Sequence, residues 1–200
     1  MMGPIQIVGI TLGTLLIAAF VIWAIRGARR DEREVNAAWS EFVARHAGWR
    51  LNWADKPLWR LQPHDPAVYA MSGPIRGVPV EVELWARDKR WTVVRAPIVV
   101  PPGTPPGATI SDDALDPGAL ARWQQFRSLR PRLEASVWPA VIPGPPPRRG
   151  EGYRVTVSWP GRERDPAALE AAIELVLALA ARPPARFGPG PAVVPHYLRE

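Results

Sequence analysis

The segment from Ile5 to Ile25, IQIVGITLGTLLIAAFVIWAI, carries no ionisable side chain. As a helix rising 1.5 Å per residue it would extend about 31 Å, the thickness of a bilayer's hydrocarbon core. Twelve of its residues are Ile, Leu, Val or Phe. At about −0.3 to −0.6 kcal/mol each, they favour insertion by roughly 4 to 7 kcal/mol. Trp23 stands near the end of the run, where an indole prefers the membrane–water interface. The pattern predicts one transmembrane helix over Ile5 to Ile25. Everything after it must then fold as a domain tied to a lipid bilayer.

Arginine sets the expected orientation. No Lys or Arg precedes the run, whereas Arg26, Arg29, Arg30 and Arg33 follow it. The positive-inside rule places the C-terminal side in the cytoplasm, with these four arginines against anionic lipid of the inner membrane. A cleaved secretory signal would need a basic n-region, a shorter apolar stretch and an A-x-A site before the arginines; the run has none of them. Gly9 and Gly13 form a G-x-x-x-G spacing, the kind that lets two helices approach closely as a homodimer. The chain is thus expected to divide into a short extracytoplasmic tail (1–4), the span (5–25), a basic junction (26–31), a soluble domain (32–182) and a Pro/Gly-rich tail (183–200).

Composition bounds the soluble part. It is long enough for one domain with an ordinary core. The 25 prolines cluster between elements and act as punctuation. The absence of cysteine excludes disulfides and thiolate metal sites. The net charge is +6, and 23 of the 25 basic residues are Arg. That bias, with abundant Ala, Pro and Gly, is what a GC-rich genome encodes. No groove-reading element accompanies it, so nucleic acid is not an expected partner.

Periodicity gives an order of elements. Asp31 and Glu34 make a capping box, and Val35, Trp39, Phe42, Val43 and His46 share one helical face ending at Gly48, so a helix is expected over about 32 to 47, separate from the span or continuous with it. WRLNW can form a short strand. Three strands follow: one over Val68 to Ser72, one through VPVEVELW with Val78, Val80, Val82 and Leu84 alternating against Glu81 and Glu83, and one through WTVVRAPIVV. Gly73 to Gly77 reads as the turn between the first two. Asp116-Pro117 starts a second helix lined by Leu120, Trp123 and Phe126, and a further helical piece is expected over Arg132 to Val137. Tyr153 to Trp159 alternates as a fourth strand. Asp165-Pro166 starts a last helix, with Leu169, Ile173, Val176, Leu177 and Ala180 on its face. The fold class is therefore α+β: one N-terminal transmembrane helix, then a small antiparallel sheet of about four strands with helices on one face.

A short span, an Arg-rich junction, a helix ending in Gly48-Trp49 and the strand pair around Gly73 and Gly77 resemble bacterial single-pass membrane-anchored proteins of uncharacterised function. The resemblance covers most of the soluble part. It implies an anchored α+β domain and carries over no activity and no functional residues.

No motif for catalysis, a metal or a cofactor stands out. His46, His64 and His196 lack the spacing that puts two ligands on one helix face. Asp112, Asp113 and Asp116 lack the glycine and distal glutamate of a calcium loop. Glu170 and Glu174 form a solvated helix face. Pro145 to Pro147 with Arg148 and Arg149 can form a polyproline ligand or a spacer. The 10 tryptophans are the unusual feature. Trp39, Trp123 and Trp159 lie on apolar faces. Trp53, Trp59, Trp85 and Trp91 do not, and form a candidate partner patch. The expected function is a membrane-tethered binding or scaffolding module facing the cytoplasm; the alternatives are an enzyme acting on a membrane-associated substrate and a structural subunit of a membrane complex.

Overall fold

The computed structural model describes residues 4–53, 69–86, 90–139 and 152–190. The chain is α+β, built on one antiparallel sheet. A long helix, α1 (Pro4–Arg45), leads into β1 (Arg50–Trp53), β2 (Tyr69–Ile75), β3 (Val78–Ala86) and β4 (Arg90–Ile98). A short β5 (Ala108–Thr109) and a single 3-10 turn precede α2 (Pro117–Leu129), then β6 (Glu134–Pro139), β7 (Tyr153–Pro160) and α3 (Pro166–Ala181). The sheet has seven strands in the order β1-β2-β3-β4-β7-β6-β5.

The expected four strands are its contiguous centre, β2, β3, β4 and β7. Of the other three, the four-residue β1 lies in WRLNW, the stretch expected as a short strand, whereas β5 and β6 were concealed for different reasons. β5 is a two-residue bridge inside a proline-rich stretch. The expected helical piece over Arg132 to Val137 is corrected to strand β6. Its alternation puts Ala135 and Val137 in the core and pairs it with both β7 and β5, so sheet hydrogen bonding overrides a weak helical preference. The expected turn over Gly73 to Gly77 is also shorter. Gly73, Pro74 and Ile75 belong to β2, and only Arg76 and Gly77 turn. Both have positive φ, 50° and 81°, the two-residue hairpin geometry whose twist matches the strands.

Gly73 has a different task. Trp49 lies over it, and a Cβ built there would stand 2.8 Å from the Trp49 Cα and 2.4 Å from its ring. That approach seats Trp49 edge-on against Phe42 at 5.0 Å, with its indole N–H donating to the Pro74 carbonyl at 3.3 Å. The end of α1 is thereby stitched to the edge of the sheet.

One apolar cluster holds the layers together. Val80, Val82, Leu84, Val94, Ala96, Val155, Val157 and Trp159 supply the sheet side. Val35, Trp39 and Phe42 of α1, Trp123 and Phe126 of α2, and eight residues of α3 supply the helices. α3 runs through the middle of this layer and is buried on more than one side, which explains its nearly uninterrupted apolar sequence. Asp116 and Asp165 cap α2 and α3, each accepting backbone N–H groups beside a proline at N1. Each cap contributes about 1 kcal/mol. Residues 185–190 return along β5, where Gly188 N–H donates to the Thr109 carbonyl at 2.8 Å and covers that edge.

α1 has no interruption at Gly27. Its 42 residues rise about 63 Å, and only the last third enters the core. Among the described residues no helix is long and apolar enough to cross a membrane. The described side chains of α1 begin at Gly13, so the first part of the expected span lies outside the described residues. From there to Ile25 the large apolar side chains, Leu15, Leu16, Ile17, Phe20, Val21, Ile22, Trp23 and Ile25, are all exposed.

Replacing Gly73 with Ala should force Trp49 or β2 to move. The expected loss is about 1 to 3 kcal/mol of stability, read by urea denaturation. A variant as stable as the parent would mean that Trp49 does not need the glycine.

Candidate functional site

The most heavily bonded polar group among the described residues is Glu163, in the segment that joins β7 to α3. Its side chain is 4% exposed. The carboxylate accepts from Arg130 Nε at 2.8 Å and Nη2 at 2.7 Å, from Trp159 Nε1 at 3.0 Å, and from the backbone N–H groups of Arg164 and Asp165 at 3.1 Å each. A carboxylate offers about four lone-pair sites, so five donors saturate it. Its backbone is held as well. Glu163 N–H donates to Thr92 Oγ1 at 3.0 Å, and that hydroxyl donates to the Gly161 carbonyl at 2.9 Å. Trp39 Nε1 of α1 donates to the Glu163 carbonyl at 3.1 Å.

The residue thus joins α1, the end of α2, β4, β7 and the start of α3. The hydrogen bonds that the Arg130 guanidinium donates to Glu163 hold it above its ordinary pKa. Such an arrangement is a structural clamp. The carboxylate is enclosed and fully engaged, so it cannot serve as an acid or base toward a ligand.

Next to the clamp, α1 emerges from the domain. The arginines Arg26, Arg29, Arg30 and Arg33 stand at i, i+3, i+4 and i+7, one stripe on the side of α1 away from Val35 and Trp39. All four are exposed. Arg30 pairs with Glu34 at 2.9 Å. Arg164 reaches from the β7–α3 segment to Asp31 at 2.9 Å and also to Glu34. Exposed pairs of this kind contribute about 0 to 1 kcal/mol each, so they orient the segment more than they stabilise it. Arg162, two residues before Arg164, differs: its side chain is 4% exposed, and its nearest carboxylate oxygen, on Asp31, is 3.9 Å away.

The other expected site residues are dispersed. Ile5, Gly9 and Trp59 lie outside the described side chains, as do His64, His196 and Pro145 to Pro147 with their arginines. Gly13 faces open space. Trp85 and Trp91 sit opposite one another on β3 and β4. Trp53 is on edge strand β1, in register with Tyr69 and through it with Leu84, one residue out of step with Trp85. The sheet therefore pairs two of the four and sets Trp53 in a neighbouring row.

His46 stacks on Phe42 at 4.1 Å and its Nδ1 meets the Phe42 carbonyl at 2.8 Å, closing the C-terminal turn of α1. Asp112 pairs with Arg127 at 3.0 Å and Asp113 with Arg186, while Asp116 is the cap of α2. Hydrogen bonding from Ser111, and the charge of Arg186, hold the Asp113 carboxyl below its ordinary pKa. Glu174 bridges Arg76 and Arg122. No group of His, Asp and Glu among the described residues could hold a metal ion. A cavity of about 580 Å³ is lined by Pro101, Pro102, Gly103, Thr104, Pro105, Pro106 and Tyr153. Its one ionisable side chain, Tyr153, already donates to the Thr104 carbonyl at 2.8 Å.

Sequence reasoning missed Glu163, Arg130 and Arg162. The stretch Gly161-Arg162-Glu163-Arg164-Asp165 reads as an ordinary polar turn. The one available signal is Glu163 four residues after a tryptophan that also needs a hydrogen-bond acceptor.

Substituting Glu163 with Ala should leave Arg130 without its fork and Trp159 without its acceptor, costing about 3 to 5 kcal/mol. Arg130→Ala should cost less, about 1.5 to 3 kcal/mol, because the other donors remain. Urea denaturation of both variants checks the order. A Glu163 variant within 1 kcal/mol of the parent, on the scale of an exposed pair, would remove the clamp.

No family model, curated protein or solved structure matches this chain.

Proposed function

We propose that the chain is a single-pass membrane-anchored tether. In this reading the first part of α1 lies in the inner membrane, and the α+β domain is held at the cytoplasmic face as a binding or scaffolding module. The observation that carries the reading is the exposure of every large apolar side chain from Leu15 to Ile25, on all sides of the helix. A helix that is apolar all round is stable in lipid or inside a protein assembly, and is unfavourable in water. The uncharged residues that precede this stretch lengthen it to a full crossing.

The orientation rests on the arginine stripe. Arg26, Arg29, Arg30 and Arg33 begin one residue past the apolar segment, at the height of lipid headgroups, where each contributes about 1 kcal/mol of attraction to an anionic leaflet. The helix face at Gly13, where an added Cβ would meet nothing within 4 Å, with Gly9 one turn before it, is the face on which a second copy would pack, making a homodimer the form this tether takes. Trp85 and Trp91, paired on the sheet, are the part of the candidate partner patch that this reading retains. No described cavity brings an acid and a base together, so no observation favours the enzymatic alternative.

After carbonate extraction of membranes, the full-length chain should sediment with the bilayer, and detergent should release it. Recovery in the supernatant would end the anchor reading. In spheroplasts an externally added protease should leave the domain intact. Changing Arg26, Arg29, Arg30 and Arg33 together to Glu should invert or mislocalise it, and unchanged protection in that variant would remove the arginines as the orienting signal.

A further inference from the structure

Arg162 is a buried cation without an adequate counter-group. Its Nε, Nη1 and Nη2 are all shut off from solvent and have no hydrogen-bond partner among the described residues. The nearest carboxylate, Asp31, stands at 3.9 Å, beyond hydrogen-bond range, and is drawn toward Arg164 at 2.9 Å instead. A guanidinium stays charged under all physiological conditions, and burying it with empty donors costs several kcal/mol. Glu163, the adjacent residue, shows that this segment saturates a buried charge where the fold alone requires one.

The location narrows the missing partner. Asp31 is six residues beyond Ile25 on an unbroken helix, a rise of about 9 Å. The headgroup layer of each leaflet is roughly 5 to 8 Å deep. Arg162, beside Asp31, therefore lies at the water-facing edge of that layer in the anchored orientation. The local charge favours an anion: three cations, Arg30, Arg162 and Arg164, face two carboxylates, Asp31 and Glu34. A planar fork with free parallel donors matches the oxygens of a phosphoryl group.

We propose that Arg162, with Arg164 beside it, binds a phosphoryl group, and that an anionic phospholipid headgroup supplies it. The source rests on the anchor reading; the phosphoryl chemistry does not. Asp31 is the occluding group. Its side chain is exposed on the outside, pairs with Arg164 when the site is empty, and swings aside as the phosphoryl oxygen takes both arginines. Removing its charge should therefore strengthen binding, which a purely structural role for Arg162 would not produce.

The test uses the full chain in dodecyl maltoside micelles at fixed ionic strength. Its thermal midpoint is followed while dioctanoyl phosphatidylglycerol, phosphate-free dioctanoylglycerol or inorganic phosphate is added. Phosphatidylglycerol should raise the midpoint and dioctanoylglycerol should not. Arg162→Met should weaken the apparent affinity about tenfold or more, and Asp31→Asn should strengthen it about threefold. If Arg162→Met does not fold, Arg162→Lys keeps the charge without the fork and should still bind more weakly. An equal response to inorganic phosphate would support the site and reassign its source to the free anion. No response to either phosphate ligand, or an Arg162 variant that responds like the parent, would overturn the proposal. A chain that binds phosphate yet leaves the membrane on carbonate extraction would sink the anchor and keep the site.

Discussion

A carboxylate can sit in an apolar core only if donors converge on it from several directions, and at Glu163 they come from the end of α2, from β7 and from two backbone N–H groups leading into α3, while the residue's own backbone is tied to α1 and β4. Trp159 ends β7 with its indole N–H pointing at the carboxylate, Arg130 ends α2 with its fork on the same group, and Trp39 brings α1 to the carbonyl. Hydrophobic burial alone would let α1 slide or rotate on α3, because apolar contact has no direction. Hydrogen bonds to one enclosed residue fix where the helices stop. The ion pairs of Arg164 with Asp31 and Glu34 become possible only once that position is set.

Much of the domain was legible because period two and period 3.6 differ plainly in this chain. Val80, Val82 and Leu84 alternate against Glu81 and Glu83, and all three are buried. Leu169, Ile173 and Val176 repeat at helical spacing and are buried too. What stayed hidden depended on partners distant in sequence. β6 is too short to show its period, and becomes a strand because β7 and β5 offer hydrogen bonds on both sides. Gly73 looked like turn chemistry, whereas Trp49, 24 positions earlier, is what excludes a side chain there. Gly27 was an ambiguous break; one glycine in a helix costs only about 1 kcal/mol, too little to interrupt a helix well supplied with Leu, Ala and Arg.

The candidate site was the least legible part, for a related reason. Each arginine of the stripe follows from spacing, but the burial of Arg162 does not. Arg162, Glu163 and Arg164 are consecutive, yet one is enclosed with no hydrogen bond among the described residues, one is enclosed and saturated, and one is exposed and bridging. Three neighbours with such different surroundings cannot be separated by composition. The separation comes from a turn with Gly161 at φ 110°, which redirects the chain between the last strand and the last helix.

The continuity of α1 has a mechanical consequence. Between Ile25 and Val35, the first residue of the helix fully inside the core, there is neither a proline nor a non-helical residue. A flexible linker would let the domain take many orientations relative to the exposed apolar stretch before it. A stiff rod converts each degree of tilt at one end into an equal tilt at the other. The exposed apolar stretch and the domain therefore keep a fixed spacing, about 15 Å from Ile25 to Val35, and any surface the domain presents keeps one bearing relative to that stretch.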